Sequence, residues 1–222
     1  MIPRIIHYCW FGRKPKPQQV IDYIDTWKRS NPDFQIKEWN EDNFDCGKLA
    51  YTREALYVKK YAFVSDVARL YALFTEGGIY LDTDVEVLQS FTRFLGDKLF
   101  LGKEAPFRIS TAVIGAEKGS SIIKDLLDLY EDKHFITTSG ALQVTVNTVL
   151  LTEYLNNTYP NWVNEVKIYD IDVFSTKLYP SGIIGRTDNT VSIHHFAASW
   201  WPKPLSRFIR LRLRLLRKLG II

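Results

Sequence analysis

Asp82 and Asp84 stand one residue apart, directly after the apolar run Ile79-Tyr-Leu81. Alternate residues of an extended strand point the same way, so the two carboxylates are expected on one face, with Thr83 turned elsewhere. Two ionised carboxylates this close repel each other unless something positive lies between them. A hard, oxygen-seeking cation such as Mg²⁺ or Mn²⁺ meets that need and completes its shell with water and substrate phosphates. The pair alone is a weak signal, because Asp-x-Asp also occurs on solvated strand ends. Its setting sharpens it. Gly77-Gly78 frees the backbone to leave a helix and begin a strand, and carboxylates where a buried strand emerges lie at the usual ligand edge of an open α/β sheet. Glu86, just beyond the pair, reads as an exposed strand residue.

The elements that must position this pair follow from periodicity. Val64, Val67, Ala68, Tyr71, Ala72 and Phe74 recur at helical spacing, so residues 61–75 form an amphipathic helix that feeds the Gly-Gly break. Upstream, residues 2–10 read as a first strand, 12–17 as a loop, 18–29 as a helix, and 34–39 as a second strand. Residues 40–44 resemble a cap leading to a short helix. Downstream, strands are expected at 99–102, 112–115, 166–169 and 191–195, and helices at 120–131 and 141–155. Strands alternating with helices imply an α/β fold with a mostly parallel central sheet.

With 222 residues the chain is long enough for one substantial core and short for two. A hydrophobic content of 46% argues for a folded globule rather than disorder. Cys9 and Cys46 are too few for a disulfide framework and read as reduced thiols of a cytoplasmic protein. The first ten residues are too short and polar for a signal sequence, and no stretch approaches the ~20 apolar residues of a membrane span. The net charge of +4 is unevenly distributed. Residues 203–222 carry seven basic residues and no acidic one, which leaves the body with 22 basic against 25 acidic residues. One domain is therefore expected over 1–202, followed by a basic amphipathic tail over 203–222. The tail has the composition of a helix lying on an anionic membrane surface, with packing on the domain or on a second subunit as the competing fate. An acidic body argues against nucleic acid as a partner.

Five blocks carry a wider resemblance: Ile2-Pro-Arg-Ile-Ile-His-Tyr-Cys-Trp-Phe-Gly12, Trp27-Lys-Arg-Ser-Asn-Pro-Asp33, Ser65-Asp-Val-Ala-Arg69, Gly77-Gly-Ile-Tyr-Leu-Asp-Thr-Asp84 and His194-His-Phe-Ala-Ala-Ser-Trp200. In this order they resemble the DXD-containing sugar transferases of glycosyltransferase family 32, related to the catalytic domain of the large clostridial glucosylating toxins. The resemblance implies a GT-A fold, a Mn²⁺ or Mg²⁺ ion and a nucleotide-sugar donor, UDP-hexose ahead of GDP-mannose. It further implies transfer of a hexose with retention to a glycan or lipid-linked oligosaccharide acceptor, in capsule, lipopolysaccharide or other surface polysaccharide assembly. The protein would then work in the cytoplasm or peripherally on the cytoplasmic face of the inner membrane.

By the same resemblance, Trp10 stacks on the nucleotide base, and Asp66 and Arg69 contact ribose or donor sugar. Asp84 ligates the metal, Asp82 bridges ribose and metal-bound water, His195 is the ligand from the C-terminal side, and Ser199 and Trp200 meet the diphosphate. The residues themselves leave alternatives. Trp10 could be a core tryptophan, and Asp66 and Arg69 at i, i+3 could be a plain surface ion pair. Adjacent strand residues face opposite sides, so only one of His194 and His195 can face the site.

Relatives often have Asn-Ala where this chain has Ser110-Thr111-Ala112, and Gly-Pro where it has Gly140-Ala141. Two other classes compete. An aspartate-nucleophile phosphatase also places Asp-x-Asp after a buried strand, but on its first strand and with Thr or Val where Glu86 stands. A catalytically degenerate sugar-nucleotide or glycan-binding module would share the same residues.

Overall fold

The computed structural model describes residues 1–145, 147–158, 164–177, 181–197 and 206–221. Its centre is a six-stranded sheet of β1 (Ile5–Cys9), β2 (Gln35–Trp39), β3 (Gly78–Leu81), β5 (Leu99–Ala105), β6 (Arg108–Ala116) and β7 (Val166–Tyr169), in the order β2-β1-β3-β6-β5-β7. β1 pairs in parallel with both β2 and β3, and β5 with β7. Only β6 runs against its neighbours. The mostly parallel α/β sheet is as the alternation of elements requires.

The inner strands β1, β3 and β6 and the first half of β5 are buried on both faces. Along β3, Tyr80 enters one apolar cluster while Ile79 and Leu81 enter the other, as the two-residue repeat dictates. The first cluster is roofed by α2 (Ala50–Tyr57), α3 (Tyr61–Glu76), α4 (Ser121–Asp128) and α5 (Asn147–Thr158), and the second by α1 (Gln18–Ser30), which inserts the fully buried Trp27. α6 (Ile171–Phe174) adds Phe174 to the second cluster. A small antiparallel pair, β4 (Val85–Val87) with β8 (Ser192–His194), lies beyond the end of β3. Helix α7 (Arg207–Lys218) returns to the first cluster through Leu213 and Leu216. Among the described residues no helix is long and apolar enough to cross a membrane.

Several boundaries differ from expectation. The short helix expected after residues 40–44 begins only at Ala50, and that expected over 141–155 begins at Asn147. Glu86 lies on a strand as expected, but that strand, β4, is separate from β3 and pairs with β8. The Gly77-Gly78 break acts as expected. Both glycines have positive φ, +69° and +110°, and a Cβ on Gly78 would lie 2.6 Å from the carbonyl oxygen of Ile5. The break lets α3 stop and β3 lie beside β1, and His7 Nε2 donates to the Gly77 carbonyl at 2.7 Å to fix the corner.

Candidate active site

Asp82 and Asp84 are not on a strand. They occupy a tight turn between β3 and β4, closed by the Val85 amide donating to the Asp82 carbonyl at 3.1 Å. The expectation of one strand face is corrected accordingly: a turn, helped by a third side chain, brings the two carboxylates together. That side chain is His194, at the end of β8, whose Cα partner across the small sheet is Val85. One ligand atom from each of Asp82, Asp84 and His194 lies within 4.8 Å of the others. His194 Nε2 is 3.4 Å from Asp84 Oδ1, and the Ala197 amide donates to Asp84 Oδ2 at 2.8 Å. Phe196 makes that last bond reachable by adopting φ +52°, a left-handed conformation unusual for a bulky residue, with its ring against that of His194.

The electrostatics follow from burial and pairing. Burial alone would raise Asp84, but hydrogen bonding to His194, the charge of that imidazole and the Ala197 amide hold it below the usual carboxylate range. Burial alone would lower His194, yet Asp84, Asp82 and Glu104 hold it above the ordinary histidine value. These residues fit a hard divalent cation: two carboxylates and one imidazole converge, and the buried Nδ1 of His194 has no hydrogen-bond partner among the described residues.

Behind the acidic turn lies a buried charge network from α3. Arg69 reaches Asp66 Oδ1 at 3.0 Å and Asp82 Oδ1 at 3.3 Å, and donates to the Thr111 carbonyl at 2.8 Å. Its side chain is 6% exposed and that of Asp66 10%, so this is no surface ion pair. Asn147 donates to Asp66 at 2.6 Å and accepts from the Thr111 hydroxyl at 2.9 Å. Burial pushes Asp66 up to about 7 against the opposing pull of Arg69. Tyr80 donates its hydroxyl to Asp82 at 2.8 Å and lies under the Arg69 guanidinium. Asp82 is thus aimed by α3 and β3 together.

Residues 17–102, which hold Asp66, Arg69 and the acidic turn, match the family described as the glycosyltransferase sugar-binding region containing a DXD motif. Over these residues the chain carries the sugar-binding region of a DXD-containing glycosyltransferase. It is similar to an uncharacterised glycosyltransferase of Acanthamoeba polyphaga mimivirus, 29% identical over 186 residues that cover 77% of this chain and 71% of the relative. It is also similar to Subversion of eukaryotic traffic protein A of Legionella pneumophila, 25% identical over 173 residues that cover 60% of this chain and 26% of that protein. Among solved structures, the PaToxG glycosyltransferase superposes with a TM-score of 0.55 at 21% identity, covering 72% of this chain and 70% of that one. The fold is that of the GT-A glycosyltransferases.

Trp10 leaves the transferase sheet at the same edge as Asp82, since β1 and β3 run in parallel with His7 opposite Tyr80. Its indole NH donates to the Lys14 carbonyl at 2.7 Å, which fixes the ring in a half-buried position instead of sinking it into the core. His195 requires a correction. The structure brings His194 to the acidic pair, while His195 Nε2 sits 2.9 Å from Glu86 and its ring stacks on Tyr23 at 4.8 Å. The reason is register: with His194 opposite Val85, its neighbour must face the other side of the small sheet. Glu86 is therefore a partner of His195 and only partly exposed. Ser199 and Trp200 lie outside the described residues.

Sequence reading missed Asn147 and Glu104 at this site, while Thr111 lies in the Ser110-Thr111-Ala112 stretch already noted as a departure from relatives. Asn147 carries no motif of its own. Glu104 is a lone acid on β5, and burial raises its carboxyl beside His194 and Arg108.

Proposed function

We propose that this glycosyltransferase is metal-dependent and moves a hexose from a nucleoside diphosphate donor to a glycan acceptor with retention of configuration. The observation that carries the reading is the convergence of Asp82, Asp84 and His194 in front of the buried Arg69. A bound Mn²⁺ or Mg²⁺ would supply positive charge for the diphosphate as it departs. Asp84 and His194 would hold the ion, Asp82 would be steadied by Arg69 and Tyr80, and Trp10 would offer an aromatic face to the base. Asp66 and Arg69 would order the ribose or donor sugar, and their burial keeps water from competing for those contacts. Attack from the face of departure, with the leaving phosphate oxygen taking the acceptor proton, needs no protein nucleophile and accounts for retention. The donor is a UDP-hexose in preference to GDP-mannose. The acceptor is a glycan or lipid-linked oligosaccharide of surface polysaccharide assembly, on the cytoplasmic side.

The test is a thermal-shift screen of nucleoside diphosphates and their sugar conjugates with and without Mn²⁺, followed by NMR of the transferred anomer. A ligand that binds the folded state raises its apparent stability. A Mn²⁺-dependent shift with one nucleotide, and donor turnover giving the retained anomer, is the expected result. Binding without donor hydrolysis or transfer would point to a degenerate binding module. An inverted product would overturn same-face attack.

A further inference from the structure

Among the described residues, helix α7 is held on the body by one face only. Leu213 is buried in the first apolar cluster, Leu216 packs beside it, and Arg217 donates to the Ile136 carbonyl at 2.6 Å. Gly140 touches the backbone of Arg210, where a Cβ would meet the carbonyl oxygen at 2.0 Å. The face turned away from these contacts is apolar. Phe208, Leu211, Leu215 and Leu219 fall within one stripe at 100° per residue, and they are 77%, 55%, 57% and 62% exposed. Of the twelve large hydrophobic side chains exposed among the described residues, six belong to residues 208–221. Basic residues border the stripe: Arg214 and Lys218 on one side and Arg212 on the other. No acidic residue occurs anywhere in residues 203–222.

We infer that the outward face of α7 docks the transferase on an anionic lipid surface, with the leucine stripe entering the headgroup boundary and the flanking arginines meeting lipid phosphates. The charge pattern selects this occupant. An apolar centre with cationic borders matches an interface whose interior is hydrocarbon and whose rim is anionic, and arginine stems can lie along the apolar layer while their heads reach phosphate. A second copy of α7 would bring two acid-free helices together, each with six basic residues in Arg207–Lys218. A nucleic acid would gain nothing from four exposed apolar side chains between the cations. Because the opposite face is anchored through Leu213 and Arg217, the helix need not fold on arrival. Attachment therefore avoids the ordering cost that a disordered basic tail would meet.

The experiment is co-sedimentation of the full chain with vesicles of phosphatidylcholine alone and of phosphatidylcholine with roughly one-third phosphatidylglycerol. The expected result is binding to the anionic vesicles at about 0.1 M salt, weak binding to the neutral ones, and release as salt shortens the Debye length. Arg212→Gln with Arg214→Gln should weaken binding by roughly fivefold for each charge lost. Leu211→Asp with Leu215→Asp should abolish it while leaving the melting temperature unchanged, since both side chains face solvent. Absence of binding to anionic vesicles overturns the inference, as does binding that survives the double aspartate variant. Light scattering that shows a dimer, made monomeric by the same variant and without vesicle binding, would assign the face to a second copy.

Discussion

Asp84 and His194 meet at 3.4 Å although 109 residues separate them, because Val85 and His194 are opposite partners in the β4–β8 pair. The three-residue strands thus have a defined task. They bring a histidine from the C-terminal part of the chain to the acidic turn that ends the buried strand β3, and the Ala197 amide completes the hold on Asp84.

Asp84→Ala and His194→Ala should each weaken Mn²⁺ binding by more than about tenfold, the range seen when groups around a metal are removed. Turnover should be lost in Asp84→Ala. His195→Gln should leave the Mn²⁺ affinity close to that of the parent, since its partners are Glu86 and Tyr23. Mn²⁺ titration of the nucleotide-dependent thermal shift checks all three; a His195→Gln affinity as poor as that of His194→Ala would reverse the assignment.

Trp10→Ala should reduce nucleotide affinity by roughly 1–3 kcal/mol, the usual contribution of a base stacked on an aromatic ring. Isothermal titration with the nucleoside diphosphate measures this directly, and an unchanged affinity removes Trp10 from the donor site.

Arg69→Ala leaves the buried Asp66 and the partly exposed Asp82 without their shared cation. Breaking a buried pair in this way costs about 3–5 kcal/mol, so a large fall in denaturation midpoint is expected alongside lost activity. Asp66→Asn should be milder for stability, because Asn147 and Arg69 keep a polar partner. Urea unfolding of both variants separates the two outcomes.

Gly78→Ala forces φ +110° on a residue with a side chain and drives its Cβ to 2.6 Å from the Ile5 carbonyl oxygen. A destabilisation of roughly 1–3 kcal/mol is expected from backbone strain of this kind. Gly119→Ala, at another positive φ but in open space, isolates the strain from the clash.

His7 gives the fold a pH dependence of known sign. Trp39 Nε1 donates to its Nδ1 at 3.0 Å and its Nε2 donates to Gly77, so the native imidazole is neutral. Burial pulls its pKa below 6.5 despite the raising effect of the Gly77 contact. Between that lowered value and 6.5 the unfolded chain holds more protons than the folded one. Stability is therefore full above 6.5 and lost as pH falls through the window, by at most about 1.4 kcal/mol per pH unit. The difference between unfolding curves of the parent and His7→Gln across pH 5–7.5 should show this slope; a difference independent of pH would refute it.

The sequence by itself determined the α/β alternation, the helix carrying Asp66 and Arg69, the Gly77-Gly78 break and the acidic pair. Each of these is written in local periodicity or backbone freedom, which neighbouring residues settle among themselves. Only the tertiary structure decided that the acidic pair lies in a turn and that His194, rather than His195, joins it. It also decided that Asp66 and Arg69 are buried, with Asn147 holding Asp66. Those facts depend on strand register and on contacts between residues roughly eighty to a hundred apart, for which a single chain carries no local signal. The same holds for α7. Its amphipathic pattern is legible in the sequence, but only its docking through Leu213 and Arg217 decides which side of the helix remains facing outward.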